Sequence, residues 1–497
     1  MQHIKKRASV WENLFFVVLI LSLALPLGGV VVSTTEGKVR GMTKTVLGKN
    51  IDVFLGIPYA VPPTGELRFR KPLPQPPWED TYDATSAKDS ETKVPVLLWF
   101  FGGTFLVGSA YETRYDGAAL PALKGVVVVS CNFRSGMFGF LDANTEGAPG
   151  NMALWDQLLV MQWVQRNIAA FGGDPDLVTA VGESSGAMDI HLHLMSPYSD
   201  GLFCRMFSMS GTETSNSNVD SVFESISRGN SVAALLGCAD VFQDLTTHPE
   251  KVLDCLRSKP AQQIVDATEN ATAPCMLAFF PTFNTEYIPY LPSIASEKGM
   301  FRVVDVVLSV LANEGGFFFD MQSDRELLQD DLSDYEYPAF LDALKGTFQK
   351  WLKKKIVPLG ISYLKNSSSS SKADLRQTTA DFIGKHNFYC PTKFYAEDNS
   401  AYGGDVYGMV FGHRSQKSTE PEWVYVRHME EIPYFFGIPY LNTVNYTDED
   451  RQVSDYAMEV LVSFARDGPR CRRCRNCRAQ RVRRKVLRHA GTYLDVI

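Results

Sequence analysis

The chain has 497 residues, of which 45% are hydrophobic, 12% aromatic and 21% charged. That composition is typical of a globular protein with a large core, and it excludes disorder over most of the chain. The formal net charge of −7 excludes nucleic acid as the partner of the protein as a whole, because nucleic-acid-binding surfaces are basic.

The N-terminus, residues 1–29, has the layout of a signal peptide, with Lys5-Lys6-Arg7 followed by the apolar run Leu14 to Leu25 and then by Pro26. We therefore expect a secreted, extracellular protein. The alternative is an uncleaved membrane anchor, because the apolar run extended to Val32 is just long enough to span a bilayer. Membrane contact is expected only in that second case.

Two further features agree with secretion. The chain has nine cysteines, which suit an oxidising compartment. It also has acceptor triplets for N-glycosylation that begin at Asn270, Asn366 and Asn445. Each triplet is a weak signal, and only its agreement with the leader gives it weight.

The pattern of strands changes along the chain. Residues Val30 to Arg40 and Lys44 to Ile57 alternate β-branched and polar side chains, which predicts short antiparallel strands. Continuous apolar runs follow, and these predict strands buried on both faces: Val96–Phe101, Gly125–Ser130, Leu177–Val181 and Val303–Leu311. A helical repeat from Asn151 to Ala170 separates two of them, so we expect a parallel sheet with crossover helices.

The strongest local signal is Gly182-Glu183-Ser184-Ser185-Gly186, which follows a buried strand and precedes a predicted helix at Ala187 to Met195. A serine on such a sharp strand-to-helix turn is exposed, with its oxygen near the helix N-terminus. This context favours Ser184 as a nucleophile over an ordinary glycine turn.

A serine nucleophile needs a histidine to accept its proton and an acid to orient that histidine. Of the eight histidines, His428 is best placed, because it follows a short β-rich run late in the chain. His413 is a rival. The others lie in the leader, the tail, the helix after Ser184, or segments without a glycine-rich turn: His3, His489, His191, His193, His248 and His386.

These motifs resemble the type B carboxylesterase and cholinesterase family over roughly Val31 to Gly468. The blocks that carry the resemblance are Phe171–Pro175 with Gly182–Gly186, Asn313–Gly315, and His428–Gly437. The resemblance implies an α/β-hydrolase fold, with a mostly parallel central sheet flanked by helices over residues 30–468. It also implies a serine esterase that cleaves small-molecule carboxylic esters through Ser184, Glu314 and His428, in this fold's chain order.

The resemblance further implies an oxyanion hole formed by the N–H groups of Gly103, Thr104 and Ser185. Family members usually carry glycine where this chain has Thr104. A β-branched residue at positive φ there would cost on the order of 1–3 kcal/mol. No metal or organic cofactor is expected. We expect an apolar, aromatic pocket, for which Phe317, Phe318, Tyr434 and Phe435 are candidates, although each could equally belong to the core.

By the same resemblance, Cys238 and Cys255 correspond to the family's short-loop disulfide. Cys390 matches a cysteine whose usual partner lies nearer the C-terminus, where this chain has no recognisable counterpart.

The chain departs from its family in two places. After Ser90 a segment is missing that normally supplies an edge strand and, in cholinesterases, the tryptophan that binds the choline cation. We therefore prefer a general carboxylesterase to an acetylcholinesterase-like choline ester hydrolase. Residues 469–497 form an arginine-rich tail with Cys471, Cys474 and Cys477; it could bind polyanions or, with weak support, a metal, but we expect it to be disordered.

A different class of function also fits this scaffold. Some members of the family are catalytically impaired adhesion or ligand-binding proteins. Such proteins typically lose a member of the triad, whereas this chain retains all three, which favours an enzyme. The sequence gives no indication of the oligomeric state.

Overall fold

A computed structural model describes residues 30–84, 93–212, 218–319, 325–367, 371–468 and 494–496. The predicted leader, residues 1–29, and most of the arginine-rich tail, residues 469–493, lie outside these ranges. Within these ranges no helix combines the length and the hydrophobicity needed to cross a bilayer.

Over the described residues the strands form one large sheet and three small ones. Their bounds are β1 (Val31–Ser33), β2 (Lys38–Val46), β3 (Lys49–Val53), β4 (Tyr82–Ala84), β5 (Val94–Phe100), β6 (Val127–Ser130), β7 (Asp142–Thr145), β8 (Ala148–Pro149), β9 (Gly173–Glu183), β10 (Arg205–Met209), β11 (Asp220–Ser221), β12 (Thr282–Phe283), β13 (Asp305–Leu311), β14 (Val406–Phe411) and β15 (Leu494–Val496).

The α-helices are α1 (Ala119–Lys124), α2 (Gly136–Phe140), α3 (Met152–Asn167), α4 (Ser185–Met195), α5 (Val222–Leu235), α6 (Pro249–Ser258), α7 (Ala261–Thr272), α8 (Pro292–Glu297), α9 (Tyr337–Trp351), α10 (Val357–Lys365), α11 (Lys372–Gly384), α12 (Cys390–Ala401), α13 (Ile432–Phe435), α14 (Ile438–Leu441) and α15 (Asp448–Asp467). Short 3-10 turns include Thr113–Tyr115 and Glu314–Phe319, and a π-helical turn at Lys385–Tyr389 joins α11 to α12.

The large sheet has the order β15-β14-β13-β10-β9-β5-β6 among the described strands. From β14 to β6 every neighbouring pair is parallel, and β15 adds an antiparallel strand at one edge. Parallel neighbours require crossovers, which the intervening helices supply. The α/β-hydrolase architecture predicted from the motifs, a mostly parallel sheet flanked by helices, is therefore confirmed.

Two hydrophobic layers cover the two faces of this sheet. The side chains of β5 contact both layers, which explains its continuous apolar sequence. Leu98 and Phe100 point into the layer that includes α3 and α4, whereas Trp99 and Phe101 point into the layer that includes α15. Successive side chains of a strand alternate between faces, so a strand covered on both sides reads as a continuous apolar run.

Two central strands, β10 and β14, were not predicted. The sequence of β10 is Arg-Met-Phe-Ser-Met, which is not a continuous apolar run. Its Arg205 is buried because the guanidinium donates to the carbonyl oxygens of Ala465 at 2.9 Å and Gly468 at 2.7 Å, beside the end of α15. Tertiary contacts from a distant helix thus make a charged residue compatible with a central strand.

The two edges of the large sheet differ from one another. At one edge β15 pairs with β14, so the last described residues of the tail contribute a strand that the sequence did not predict. At the other edge β6 pairs with β5 only, within the part of the chain described here.

A disulfide joins Cys238 and Cys255, with a Cα–Cα distance of 5.5 Å, and links the end of α5 to α6. It is the pair that the family resemblance implied. Cys390 is exposed and takes part in no disulfide within the described residues.

Candidate functional site

Ser184 lies on the sharp turn between β9 and α4. Its backbone has φ 54° and ψ −126°, a region that non-glycine residues rarely adopt. The turn is held because the Ser184 N–H donates to the Met209 carbonyl at 2.9 Å, while the Ser184 carbonyl accepts from Met188 N at 3.0 Å and starts the helix. The serine side chain therefore stands at the end of the sheet and at the positive end of α4.

The glycine after this turn allows α4 to approach the sheet. A Cβ atom at Gly186 would lie 2.2 Å from the Phe100 carbonyl oxygen and 2.6 Å from that of Phe101. Any larger residue would push the helix away from β5. The Gly-x-Ser-x-Gly pattern is thus explained by close packing as well as by the turn itself.

Glu314 follows β13 and is completely buried. Its Oε1 accepts from Leu311 N at 2.8 Å, and its backbone N–H donates to the Tyr389 hydroxyl at 3.3 Å. That hydroxyl in turn donates to the Leu311 carbonyl at 2.6 Å. These contacts fix the carboxylate and leave Oε2 to face the imidazole of His428.

The neighbouring Asn313 brings the acid and the histidine together across 114 residues of chain. Its N–H donates to Val426 O at 2.9 Å, and its side-chain amide donates to Trp423 O at 3.1 Å and Val424 O at 3.0 Å. Asn313 also forms an isolated parallel bridge with Arg427, the residue before His428.

His428 is 3% exposed, and its Nδ1 lies 2.7 Å from Glu314 Oε2. The imidazole packs against Phe388 and Phe317, with ring centroids 4.5 Å and 5.4 Å away. With Nδ1–H donating to a carboxylate, Nε2 is the nitrogen that can accept a proton.

The imidazole Nε2 lies 3.1 Å from Glu183 Oε1. Among the described residues no hydrogen bond joins Nε2 to the Ser184 hydroxyl, although both residues line the same cavity. Catalytic hydrogen bonds of unliganded enzymes are commonly long and tighten when substrate binds. The structure thus brings the three predicted residues to one place, with the histidine–glutamate contact formed and the serine contact open.

Two acids near the imidazole were not singled out from the sequence. Glu183 precedes the nucleophile, and Glu431 lies three residues after His428; both are completely buried. Burial raises the pKa of Glu183 well above its usual range, and the negative charges of Glu431 and Glu314 raise it further. Burial, followed by the charge of Glu314, likewise raises the pKa of Glu431. In the sequence, either acid is marked only by its position close to the serine or the histidine.

The raised pKa values favour the protonated forms of Glu183 and Glu431. Among the described residues, Glu314 is the acid that contacts His428 Nδ1, at 2.7 Å.

The loop after β5 has the geometry of an anion-binding turn. Gly103, Thr104 and Phe105 have φ values of 141°, 55° and 62°. No acceptor in the described residues takes the N–H of Gly103 or Thr104, and Ser185 contributes the first N–H of α4. Thr104 therefore has the positive φ that is strained for a β-branched residue. Its hydroxyl donates to Gly103 O at 2.7 Å.

These residues open into a cavity of about 260 Å³. Its wall is largely apolar and aromatic, and it includes Phe105, Phe280, Phe317, Phe318, Trp351 and Phe388. Phe317 and Phe318 thus line the pocket. Tyr434 and Phe435 do not: both are buried against α15 in the opposite hydrophobic layer. Both residues are close to His428 in the sequence, but they lie away from the cavity because α13 packs on α15.

The rival histidine, His413, has a different environment. Its Nε2 lies 2.7 Å from Asp450 Oδ1, and it does not line the cavity. The same carboxylate accepts from the Tyr434 hydroxyl at 2.9 Å, the Ser415 hydroxyl at 2.8 Å and the Thr447 N–H at 2.7 Å. His413 thus belongs to a buried polar cluster that caps α15.

We expect the Asp450→Asn variant to have a free energy of unfolding lower by about 1–2 kcal/mol at pH 7. Burial by itself would raise the pKa of Asp450, but hydrogen bonds from the Thr447 backbone and from His413, Thr447 and Ser415 outweigh it and lower the pKa to about 2. A depressed pKa stabilises the fold above the unfolded-state pKa of about 4, and this contribution is lost as the pH falls towards 2. The measurement is the urea midpoint at successive pH values from 7 to 3.

The control for this variant is Asp455→Asn, on the same helix, where the carboxylate is 56% exposed. Exposed ion pairs contribute little to the free energy of unfolding, so the urea midpoint of Asp455→Asn should stay close to that of the wild type. The stabilising role of the ionised Asp450 would be contradicted if the urea midpoints of Asp450→Asn and the wild type were equal at pH 7. It would also be contradicted if the difference between the two midpoints grew as the pH fell.

No group of three or more histidine, cysteine, aspartate or glutamate side chains that could hold a metal occurs in the part of the chain that the structure describes. The three clustered cysteines of the tail lie outside it.

Comparison with known proteins gives consistent matches. A family model described as "Carboxylesterase family" matches residues 29–90 and 85–480, in two segments that meet near Ser90, after which the resemblance implied a missing segment. The chain is 32% identical to an acetylcholinesterase of Bungarus fasciatus over 488 residues, covering 89% of this chain and 79% of the relative. It is 31% identical to an acetylcholinesterase of Leptinotarsa decemlineata, covering 88% and 78%. It is also 31% identical to a cholinesterase of Mus musculus, covering 91% and 82%.

Proposed function

Since the chain belongs to the carboxylesterase family, it is a serine hydrolase of carboxylic esters, and we propose that its acyl-enzyme forms on Ser184, with His428 as general base and Glu314 as the orienting acid. The observation that carries this proposal is the 2.7 Å contact of His428 Nδ1 with Glu314 Oε2, at the wall of the cavity that Ser184 also lines.

In the first step, His428 Nε2 accepts the hydroxyl proton of Ser184 as the oxygen attacks the ester carbonyl carbon. The carbonyl oxygen becomes an oxyanion, which the N–H groups of Gly103, Thr104 and Ser185 stabilise. The tetrahedral intermediate then collapses, and the alcohol leaves with the proton from Nε2. Water enters, gives its proton to Nε2 and attacks the acyl group, and the acid departs as the Ser184 hydroxyl is restored.

The buried carboxyl groups support this assignment of roles. Glu314 lies on the Nδ1 side and accepts its hydrogen bond, so the ring keeps the tautomer that leaves Nε2 free. Burial raises the pKa of Glu183 and of Glu431, which favours their protonated forms.

The cavity supports an uncharged, apolar acyl group of modest size, because its wall is mostly apolar and its volume is about 260 Å³. Some relatives are acetylcholinesterases by name. We propose a general carboxylesterase for this chain, since the segment that would carry a choline-binding tryptophan is the one that the family resemblance finds missing.

We also propose that the protein is secreted and N-glycosylated. Asn270, Asn366 and Asn445 are exposed, so each acceptor can carry a glycan without disturbing the core. The predicted leader lies outside the described residues and rests on the sequence.

Labelling with a fluorophosphonate probe tests the catalytic proposal directly. Such probes react with a serine only when a base activates it and an oxyanion hole accepts the developing charge. We expect the purified, folded protein to be labelled once, on the tryptic peptide that contains Ser184. A folded sample that is not labelled would instead indicate the ligand-binding member of the fold.

A further inference from the structure

Two charged side chains interrupt the apolar wall of the cavity. Glu112 and Arg114 flank the short turn Thr113–Tyr115, and both line the cavity that holds Ser184 and His428. Among the described residues that line it, no other aspartate, glutamate, lysine or arginine occurs. An ester group that enters the cavity therefore meets these two charges.

Arg114 is less constrained than a structural arginine. Its Nε lies 2.9 Å from Glu112 Oε2, and its side chain is 46% exposed. Within the described residues its terminal nitrogens, Nη1 and Nη2, have no hydrogen-bond or ion-pair partner. Its guanidinium carbon lies 5.8 Å from the centroid of the Tyr115 ring, which sets the direction of the side chain. A guanidinium with free terminal nitrogens can bind a carboxylate or a sulfonate with two hydrogen bonds.

The position of the histidine places the alcohol of the substrate in the same cavity as Arg114. In the proposed reaction the alcohol leaves with the proton from His428 Nε2, and His428 and Arg114 line one cavity. A charged group on the alcohol therefore meets the Arg114 guanidinium there. Glu112 lines the cavity too, but its Oε2 faces Arg114 Nε at 2.9 Å.

We propose that Arg114 makes this enzyme select esters by the charge of their alcohol, favouring alcohols that carry an anionic group and disfavouring cationic alcohols such as choline. The inference rests on the proposed function, because it assumes that His428 protonates the leaving group. It assigns to Arg114 a role in substrate specificity and none in the chemical step.

Three thioacetates test the proposal, since they share one acyl group and differ in the charge of the leaving thiol. They are S-acetylthiocholine, which is cationic, its neutral isostere 3,3-dimethylbutyl thioacetate, and 2-sulfonatoethyl thioacetate, which is anionic. The released thiol is measured, and kcat/KM for each charged ester is divided by that for the neutral one. Low ionic strength is needed, because salt screens a half-exposed charge.

For the wild type we expect the anionic ester to exceed the cationic ester in kcat/KM by about ten-fold, as one nearby charge of this exposure would give. In Arg114→Gln, the anionic-to-neutral and cationic-to-neutral ratios of kcat/KM should become similar. Arg114→Lys should retain the preference for the anionic ester, because it retains the charge. Glu112→Gln should increase the anion preference, since it removes the opposing charge. Arg40→Gln, an exposed arginine on β2, serves as the control and should leave both ratios unchanged.

The outcomes separate this inference from the proposed function. If the neutral ester is hydrolysed but the cationic ester is hydrolysed as well as the anionic one, the charge selectivity is wrong and the esterase mechanism stands. If Arg114→Gln keeps the wild-type ratios, another group sets the selectivity and the role of Arg114 is refuted. If a folded chain hydrolyses none of the three and takes no fluorophosphonate, the proposed function fails, and this inference fails with it.

Discussion

The Ser184→Ala variant should show kcat for a chromogenic ester lower by about a million-fold, because no other group can form the acyl-enzyme. The side-chain hydroxyl of Ser184 makes no hydrogen bond among the described residues, so its loss removes the nucleophile without removing a structural contact. The turn is held by backbone atoms, which alanine retains. The measurements are steady-state hydrolysis and fluorophosphonate labelling, with circular dichroism and the thermal unfolding midpoint to verify the fold.

A matched control is Ser231→Ala, an exposed serine on α5 whose hydroxyl donates to the Ser227 carbonyl within the same helix. It should have wild-type turnover and labelling. Near-normal hydrolysis by Ser184→Ala, in a preparation free of contaminating esterase, would overturn the assignment of the nucleophile.

The second large effect is expected at the histidine. His428→Asn should also lower kcat by about a million-fold. The asparagine amide can take the place of Nδ1 and keep the contact with Glu314, but it has no counterpart of Nε2 to accept the serine proton. Because the imidazole is packed between Phe388 and Phe317, the smaller side chain lowers stability as well, so kcat must be expressed per folded, native molecule.

The same substitution at the rival histidine gives the contrasting result. His413→Asn removes the Nε2 contact with Asp450 and should lower the unfolding midpoint, whereas kcat of the folded protein stays near the wild-type value. If His413→Asn lost turnover while His428→Asn kept it, the general base would have to be reassigned.

The sequence predicted the fold where local signals and the sheet agree. The apolar runs at β5, β9 and β13 predict strands covered on both faces, and these strands are largely buried. The run at β6 predicts the same, but there the prediction is wrong, because β6 is an edge strand whose residues are only partly buried or exposed. The turn at Ser184 was predicted for a related reason: the glycines around it are needed for the close approach of α4 to β5. Both signals are local, and both are determined by packing.

The remaining features depend on contacts between distant segments. The strand β10 contains a buried Arg205, which is explained only by carbonyl groups 260 and more residues away. Glu183 and Glu431 are ordinary acids in the sequence, and their raised pKa values arise from burial around His428. Tyr434 was a candidate for the pocket because it follows His428 closely, yet its hydroxyl binds Asp450. Proximity along the chain does not predict which face of a short helix meets the cavity.

Asn313 couples the displacement of His428 to the displacement of Glu314. Because it holds residues 423–427 through three hydrogen bonds and precedes Glu314 directly, a local opening of this segment displaces the base and its orienting acid together. Ser184, anchored to β10, stays in place. On heating, activity should therefore be lost in one step, in which His428 and Glu314 are displaced together. Ser184 then remains on an intact sheet without its general base.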